Sequence, residues 1–525
     1  MSRLFLLQVA VALLGPVLMA LEATVLDHRF GRGRLSRIAL GFVAAANIGF
    51  LAFVFFNHAP FPLHLDLLEG TILQHVQRAA SLQPIYPSPS SDYVPLAYNP
   101  LYYYLTVPFT WIFGERLFTL RLVAILGAIG SAAAVFVVVR QKTRSSWWGL
   151  MALGLFAAAY RAMDTYLDNG HSDSWFLCVA LWGTFFLDHR SRLANLGGIL
   201  LLVSSFWFKQ HGAVFAVGGL VYLTCREGLW KSLPYWLVAL ATGPISYLFL
   251  GPSLFGSRFH YFTWEVPSHW SALNFATVTR YVGIILRFYP LLALASGLWA
   301  LTAIWREGRR VSIWPVQLLF AAATGLMGAL DEGSANNVFI AMGTWLILVG
   351  TCGLHDLAER KSAIDRWHLA HLALLLSFTL LLYDPRSVLV SPQAQASYGD
   401  FMSYLKSLPG TVYAPWIGQL ENGYTFYPAA HWAAMEDMVR GPGRSTRNRP
   451  EVRRLLAPCL EPAGPAFLLI NWPLDENFVY GFLNESYTLQ ADLGDRFKPL
   501  SALLAKRYFH GWPRYLYRYQ PKTSD

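Results

Sequence analysis

Long apolar runs decide what this chain can become. About a dozen of them, at residues 4-26, 38-56, 122-139, 147-163, 174-187, 195-208, 212-224, 233-251, 283-304, 312-330, 338-354 and 367-383, are separated by polar links. Most are about 15 to 23 residues wide, the length a helix needs to cross about 30 Å of hydrocarbon. Backbone groups in hydrocarbon must be satisfied internally, so runs of this width predict α-helices in a polytopic membrane protein. Of 525 residues 55% are hydrophobic and 14% charged, where soluble domains carry roughly 25% charged residues. Only Cys459 of the four cysteines lies in the polar C-terminal region, which excludes a disulfide framework there.

The net charge of +10 sits mostly in the links rather than on one amphipathic face, so it argues for membrane orientation and against nucleic acid. Alternate links carry the excess: Arg29 to Arg37, Arg140 to Arg144, Arg190 and Arg192, Arg226 and Lys231, Arg306 to Arg310, and Arg360 to Arg366. By the positive-inside rule these are cytoplasmic, and the intervening links face outward. The first apolar run is too long for a signal peptide and lacks a small-x-small site, so it reads as a retained helix with Glu22 near its end.

Three units follow: 1-37, an extra helix and its cytoplasmic link; 38-383, the transmembrane core; and 384-525, where hydropathy collapses into a small outer α/β domain. Strand-like runs at 410-416 and 466-471 alternate there with helix-like runs at 398-407, 429-440 and 500-507. Within the long outer loop 57-121, the apolar stretch from Pro100 to Phe113 is too short to span and predicts an interfacial helix.

The outward links concentrate the polar chemistry. Asp66 and Glu69 are three residues apart, so a helical turn would face both carboxylates one way, either as a general base or as an acidic helix start. Asp164, Asp168, His171 and Asp173 precede the block at 174, where Asp173 also suits an N-cap. Lys209-Gln210-His211 places an ammonium between apolar blocks, suited to a phosphate or to snorkelling. Asn336 and Asn337, in the turn 331-337, suit sugar hydroxyls or a helix cap. The aromatic loop from His260 to Trp270 suits sugar stacking or an interfacial belt. In the outer domain, Arg440, Arg444, Arg447, Arg449, Arg453 and Arg454 read as a solvated charge run or an anion site. No HExxH, CxxC pair, GKS/T loop or GxSxG elbow occurs, which leaves ATP hydrolysis and metalloprotease chemistry unsupported.

Several stretches resemble one family. Asp66-Leu67-Leu68-Glu69-Gly70 opens the first outer loop, Gln83-Pro84-Ile85-Tyr86 follows, and Tyr98-Asn99-Pro100-Leu101-Tyr102-Tyr103-Tyr104 is similar to an hPPLYY segment. Arg121-Leu122 leads a helix ending in Arg140, His171-Ser172-Asp173-Ser174 resembles a second acidic position, Phe208-Lys209-Gln210-His211 a TKQ turn, and Gly333 to Asn337 a late GxxNY segment. In order and spacing, residues 38 to 383 resemble the GT-C glycosyltransferases related to protein O-mannosyltransferases and the lipid A aminoarabinose transferase. The chain departs from that pattern at Asn99, Phe208 and Val338.

The resemblance implies inverting transfer of a sugar from a polyprenyl-phosphate donor to a lipid, glycan or protein acceptor, at the periplasmic face of a bacterial inner membrane. It makes Glu69, ahead of Asp66, the base; Asp173 and Asp168 the acceptor-positioning groups; and Lys209, Gln210 and His211 the donor-phosphate site. Tyr98, Tyr102, Asn336 and Asn337 would bind substrate. No cofactor is expected for certain; the family allows a divalent metal, for which the sequence offers no ligand set. Two rival readings are a carrier or flippase for a lipid-linked sugar and a noncatalytic scaffold. The first is disfavoured by the absence of a two-half repeat.

Overall fold

Each apolar block lies on helix in the computed structural model, which describes residues 3–26, 33–271, 275–308, 311–331, 334–359, 366–421, 424–440, 449–477, 479–505 and 512–520. Arg29, Arg32, Arg309, Arg310, Glu332, Gly333, Arg360, Lys361, Arg444 and Arg447, singled out in the sequence, lie outside the described residues. Among the described residues six helices are long and apolar enough to cross a membrane, and eight if two bent pairs each count as one span. Twelve separate spans are therefore more than helix length supports. The Ser146–Ala158 and Arg192–Phe208 helices are apolar but shorter than a full crossing. The block at 283-304, read as one span, is two helices, Phe275–Phe288 and Pro290–Glu307, bent by 96°. Pro290 has no N–H to continue the first helix and disfavours helical geometry at Tyr289.

The first helix, Arg3–Leu21, packs against Arg366–Leu380. Glu22 accepts from the Leu35 and Ser36 amides at 2.9 and 3.0 Å, so this acid in an apolar segment caps the next helix, Arg34–His58. In the bundle, Asp173–Asp188 packs between Leu117–Thr143 and Arg192–Phe208. Gly183 and Gly198 face each other across that second contact, where a Cβ on either would lie within 3.0 Å of the other's carbonyl oxygen. At the end that carries the basic links, Lys142 pairs with Asp188 at 2.5 Å, and Ser312 donates to Asp188.

At the opposite end the outer loop is pinned by one ion pair. Arg121 Nε and Nη2 donate to the two Glu69 oxygens at 2.9 and 2.6 Å. Its remaining N–H groups donate to the carbonyls of His58, Phe61 and Leu63 at 2.9, 2.5 and 2.6 Å, which uses all the donors a guanidinium has. Glu69 also accepts from the amides of Leu65 and Gly170 at 2.6 and 2.8 Å. Both side chains are fully buried. Burial works to raise the Glu69 carboxyl, but Arg121 and the two amides outweigh it and hold it at about 2.

The C-terminal region is an α/β domain with a four-stranded sheet in the order β1-β2-β4-β3: β1 Val412–Tyr413, β2 Phe467–Ile470, β3 Tyr487–Asp492 and β4 Tyr515–Tyr519. β1 and β2 run parallel, the other pairs antiparallel. The helices Pro392–Ser407, Trp432–Val439 and Lys498–Ala505 fall on the helix-like runs; β3 and β4 were not anticipated. The domain lies on the pinned loop backbone to backbone. Gln419 N donates to Gly70 O at 3.2 Å, and a Cβ on Gly70 would collide with the Ile417 carbonyl oxygen. Gly418 meets it with a φ of +66°, which favours glycine.

Two outcomes test this scaffold. Gly70→Ala forces two backbones apart, so the C-terminal domain should be released to limited proteolysis at a protease concentration that leaves the wild type whole. Glu69→Gln leaves Arg121 without its counter-charge and should cost about 3 kcal/mol, read as a lowered unfolding midpoint in detergent. Because the folded Glu69 carboxyl is depressed, its contribution is complete above the unfolded value of 4.5 and is lost as pH falls toward about 2. The stability gap between wild type and Glu69→Gln should therefore close over that window.

Candidate active site

The four outward polar clusters converge on a cavity of about 440 Å³ between the end of the bundle and the C-terminal domain. Asp66 and Glu69 part company there. Asp66 stands before the helix Glu69–Ala80 rather than on it, and its Oδ1 accepts from the Leu68 amide at 3.0 Å. The i, i+3 geometry expected of the pair therefore does not arise: Asp66 lines the cavity, and Glu69 points into the bundle toward Arg121. Asp66 Oδ2 accepts from the Tyr166 hydroxyl at 2.7 Å. Burial pushes the Asp66 carboxyl up, against a pull downward from His171, the Leu68 amide and Tyr166.

Lys209 occupies a tight turn between the helices Arg192–Phe208 and Ala213–Glu227. Its Nζ donates to Asp173 Oδ1 at 2.6 Å, while His171 Nδ1 lies 2.5 Å from Asp173 Oδ2 and Asn337 Nδ2 donates to Oδ1 at 3.3 Å. Asp173 is buried, and the three groups it holds all line the cavity, so this acid orients the wall. Gln210 Nε2 donates to the carbonyls of Ala97 and Thr263 at 2.9 and 3.2 Å, which ties the turn to two other outer loops. His211 Nε2 lies 3.6 Å from Asp331 Oδ2. Tyr98 lines the cavity with its ring edge-on to His171.

Three expected site residues face elsewhere. Asp168 is fully buried between His58 Nδ1 at 2.6 Å and the Tyr160 hydroxyl at 2.7 Å, and His58 Nε2 bonds the Val388 carbonyl oxygen at 2.6 Å, so it locks the acidic loop to the start of the C-terminal region. Tyr102 donates to Leu120 O at 2.7 Å inside the bundle. Asn336 accepts from Arg280 at 3.0 Å while its amide donates to Asp164 Oδ2 at 3.1 Å, outside the cavity lining. Among the described residues no group of three or more His, Cys, Asp or Glu side chains is placed to hold a metal ion.

The far wall was not foreseen. Trp416, Trp432, Asp437, Arg440 and Trp472 come from the C-terminal domain. Of the arginine run that the sequence reads as a solvated charge run or an anion site, Arg440 lines the cavity among the described residues. It pairs with Asp437 at 3.0 Å and lies 4.0 Å over the Trp270 ring, whose Nε1 donates to Asp437 O at 3.2 Å. Trp270 is thus a buried latch between an outer loop and the domain. Burial lifts the Asp437 carboxyl to about 6, with Arg440 opposing. Neither Trp416 nor Asp437 belongs to a local pattern that marks it; Tyr166, lying within the acidic loop, could have been found by its position.

Beside the Lys209 turn a second, apolar groove of about 630 Å³ runs between Arg192–Phe208, Ala213–Glu227 and the helical stretch 229–255, lined by Phe206, Leu220, Trp236, Tyr247 and Trp264 among others. The two helices that flank the turn form two of its walls; Lys209 itself lines the cavity and not the groove.

No protein-family model matches the chain, and no curated protein matches its sequence. Solved structures do. ArnT from Cupriavidus metallidurans aligns in its apo state with a TM-score of 0.51 at 12% identity, over 90% of this chain and 97% of that one. The same protein bound to undecaprenyl phosphate aligns with a TM-score of 0.52 at 13% identity, over the same shares. The chain thus has the fold of ArnT, a helical membrane core carrying a small α/β domain, as the sequence resemblance implies.

Proposed function

We propose that this protein transfers a sugar from a polyprenyl-phosphate donor to an acceptor hydroxyl in the cavity beneath its C-terminal domain. One juxtaposition carries the reading: a buried lysine and a buried carboxylate line one cavity, and the two helices that the lysine's turn joins also wall an apolar groove. The groove suits a polyprenyl chain, Lys209 its phosphate, and the 440 Å³ cavity the reacting sugars. ArnT, which shares the fold, binds undecaprenyl phosphate.

Asp66 is the base in this reading, in place of Glu69. Glu69 has no direction from which to take a proton, since Arg121 and two amides occupy its lone pairs. Asp66 faces the cavity, fixed by Tyr166 and the Leu68 amide, and its raised proton affinity suits general-base work. It removes the acceptor proton as the acceptor oxygen bonds to the anomeric carbon. The bond to the phosphate oxygen breaks on the opposite side, which inverts that carbon, and the polyprenyl phosphate leaves with the electron pair. Lys209 meets the charge developing on the leaving phosphate, and Asp173 keeps the ammonium aimed. Gln210 and His211 hold the turn's geometry, and Asn337 and Tyr98 contact the sugars from the cavity wall. The site opens on the face opposite the basic links, periplasmic if the membrane is a bacterial inner membrane.

Transfer of labelled sugar from polyprenyl-phosphate donors by the purified protein in lipid is the test. Asp66→Asn should lower turnover by about 10²-fold or more with donor binding retained. Lys209→Ala should weaken donor binding as well as turnover. Because Asp66 must be ionised and its carboxyl titrates above the ordinary range, the wild-type rate should fall as pH drops through that raised value. Full turnover by Asp66→Asn would refute the assignment; a wild type that binds donor but never cleaves it, across a broad acceptor panel, would refute the transferase.

A further inference from the structure

The C-terminal wall of the cavity has no part in the bond-making steps, yet it is built to an unusual pattern. Trp416 follows β1 and Trp432 opens the helix Trp432–Val439; their rings stack with centroids 3.7 Å apart and planes 21° apart. Trp472, following β2, stands against Trp416 at 81° with centroids 5.4 Å apart. The three rings form a right-angled corner in which Trp416 and Trp432 are buried and Trp472 is 41% exposed. Trp416 Nε1 is buried without a hydrogen-bond partner, as is Nε of Arg440, which also lines the cavity. An indole N–H can only donate, and both of these donors belong to residues that line the cavity, where the oxygens of a ligand would satisfy them.

We propose that this corner is a saccharide subsite and that the acceptor is a pyranose. A pyranose offers an apolar C–H face and a rim of hydroxyls. The corner offers an open indole face on Trp472, then unused donors on Trp416 and Arg440 and a carboxylate on Asp437 for the rim. An acyl chain would leave those donors unsatisfied. The acceptor, rather than the donor sugar, belongs here because of chain connectivity. Trp416 is followed by Ile417 and Gly418, which lie directly on Gly70, the residue that ends the acidic turn begun by Asp66. The Trp corner is therefore tied to the base, whereas the donor phosphate is assigned to the Lys209 turn. This inference rests on the transferase reading and narrows its acceptor from lipid, glycan or protein to a sugar hydroxyl.

The test uses full-length protein in lipid nanodiscs, with chitotriose, cellotriose and mannotriose as probes in saturation-transfer difference spectra, and undecaprenyl phosphate binding measured separately. The wild type should bind at least one trisaccharide with saturation concentrated on ring C–H protons. Trp472→Ala should weaken that binding about tenfold, Trp472→Phe should restore most of it, and both should bind undecaprenyl phosphate as the wild type does, which also shows that they fold. Equal trisaccharide binding by wild type and Trp472→Ala overturns the subsite and leaves the transferase standing, as does a wild type that binds undecaprenyl phosphate but none of the three sugars. A wild type that binds no undecaprenyl phosphate and transfers no sugar overturns the transferase reading, and the acceptor role of the corner falls with it.

Discussion

The buried Arg121–Glu69 ion pair holds the first outer loop of this protein in place. Arg121 projects from a transmembrane helix into a loop that has no regular structure from Ala59 to Leu68, and gathers two of that loop's carbonyls and that of His58, which ends the preceding helix, as well as Glu69. Without it, those carbonyls and the helix start would need other donors in a region closed to water. A buried pair seldom adds much net stability over an apolar substitute, because desolvation consumes most of the attraction. What it supplies here is position. With Glu69 committed to Arg121, the turn that precedes it can present Asp66 to the cavity, and Gly170, bound to the same carboxylate, brings in the second acidic loop. One carboxylate is committed to architecture, and its neighbour faces the cavity.

The cavity is consequently a joint product of two units with different physics. Its membrane side is made by helix ends whose polar groups gather on Asp173, which holds Lys209, His171 and Asn337. Its outer side is made by aromatic rings on a small sheet domain. Backbone contact at Gly70 and the buried Trp270 latch join the two, so neither wall can shift alone.

How much of this the sequence disclosed follows from the kind of signal each feature leaves. Apolar runs are long and periodic, so helices were legible almost everywhere, while the bend at Tyr289-Pro290 turned on one residue inside a continuous run. The gathering of polar clusters on one face followed from the charges in the links. The choice between Asp66 and Glu69 was not legible, because it depends on where a helix begins and on Arg121, 52 positions from Glu69 in sequence. Asp168 and Tyr102 were misplaced for the same reason: a side chain's direction is set by long-range partners, His58 and Leu120. The tryptophan corner draws on residues 416, 432 and 472: the parallel pairing of β1 and β2 brings the first and last together, and the Trp432 amide donates to the Pro415 carbonyl.

The seating of Ile417 and Gly418 on Gly70 has a consequence for synthesis. One half of that contact is made early in translation, and the other only after every membrane helix has been inserted. Until then the chain has an acidic turn and a lysine turn but no outer wall to enclose them. The enclosure is delivered after the membrane helices, so a chain cut short of residue 416 has both turns but lacks the tryptophan wall that faces them across the cavity.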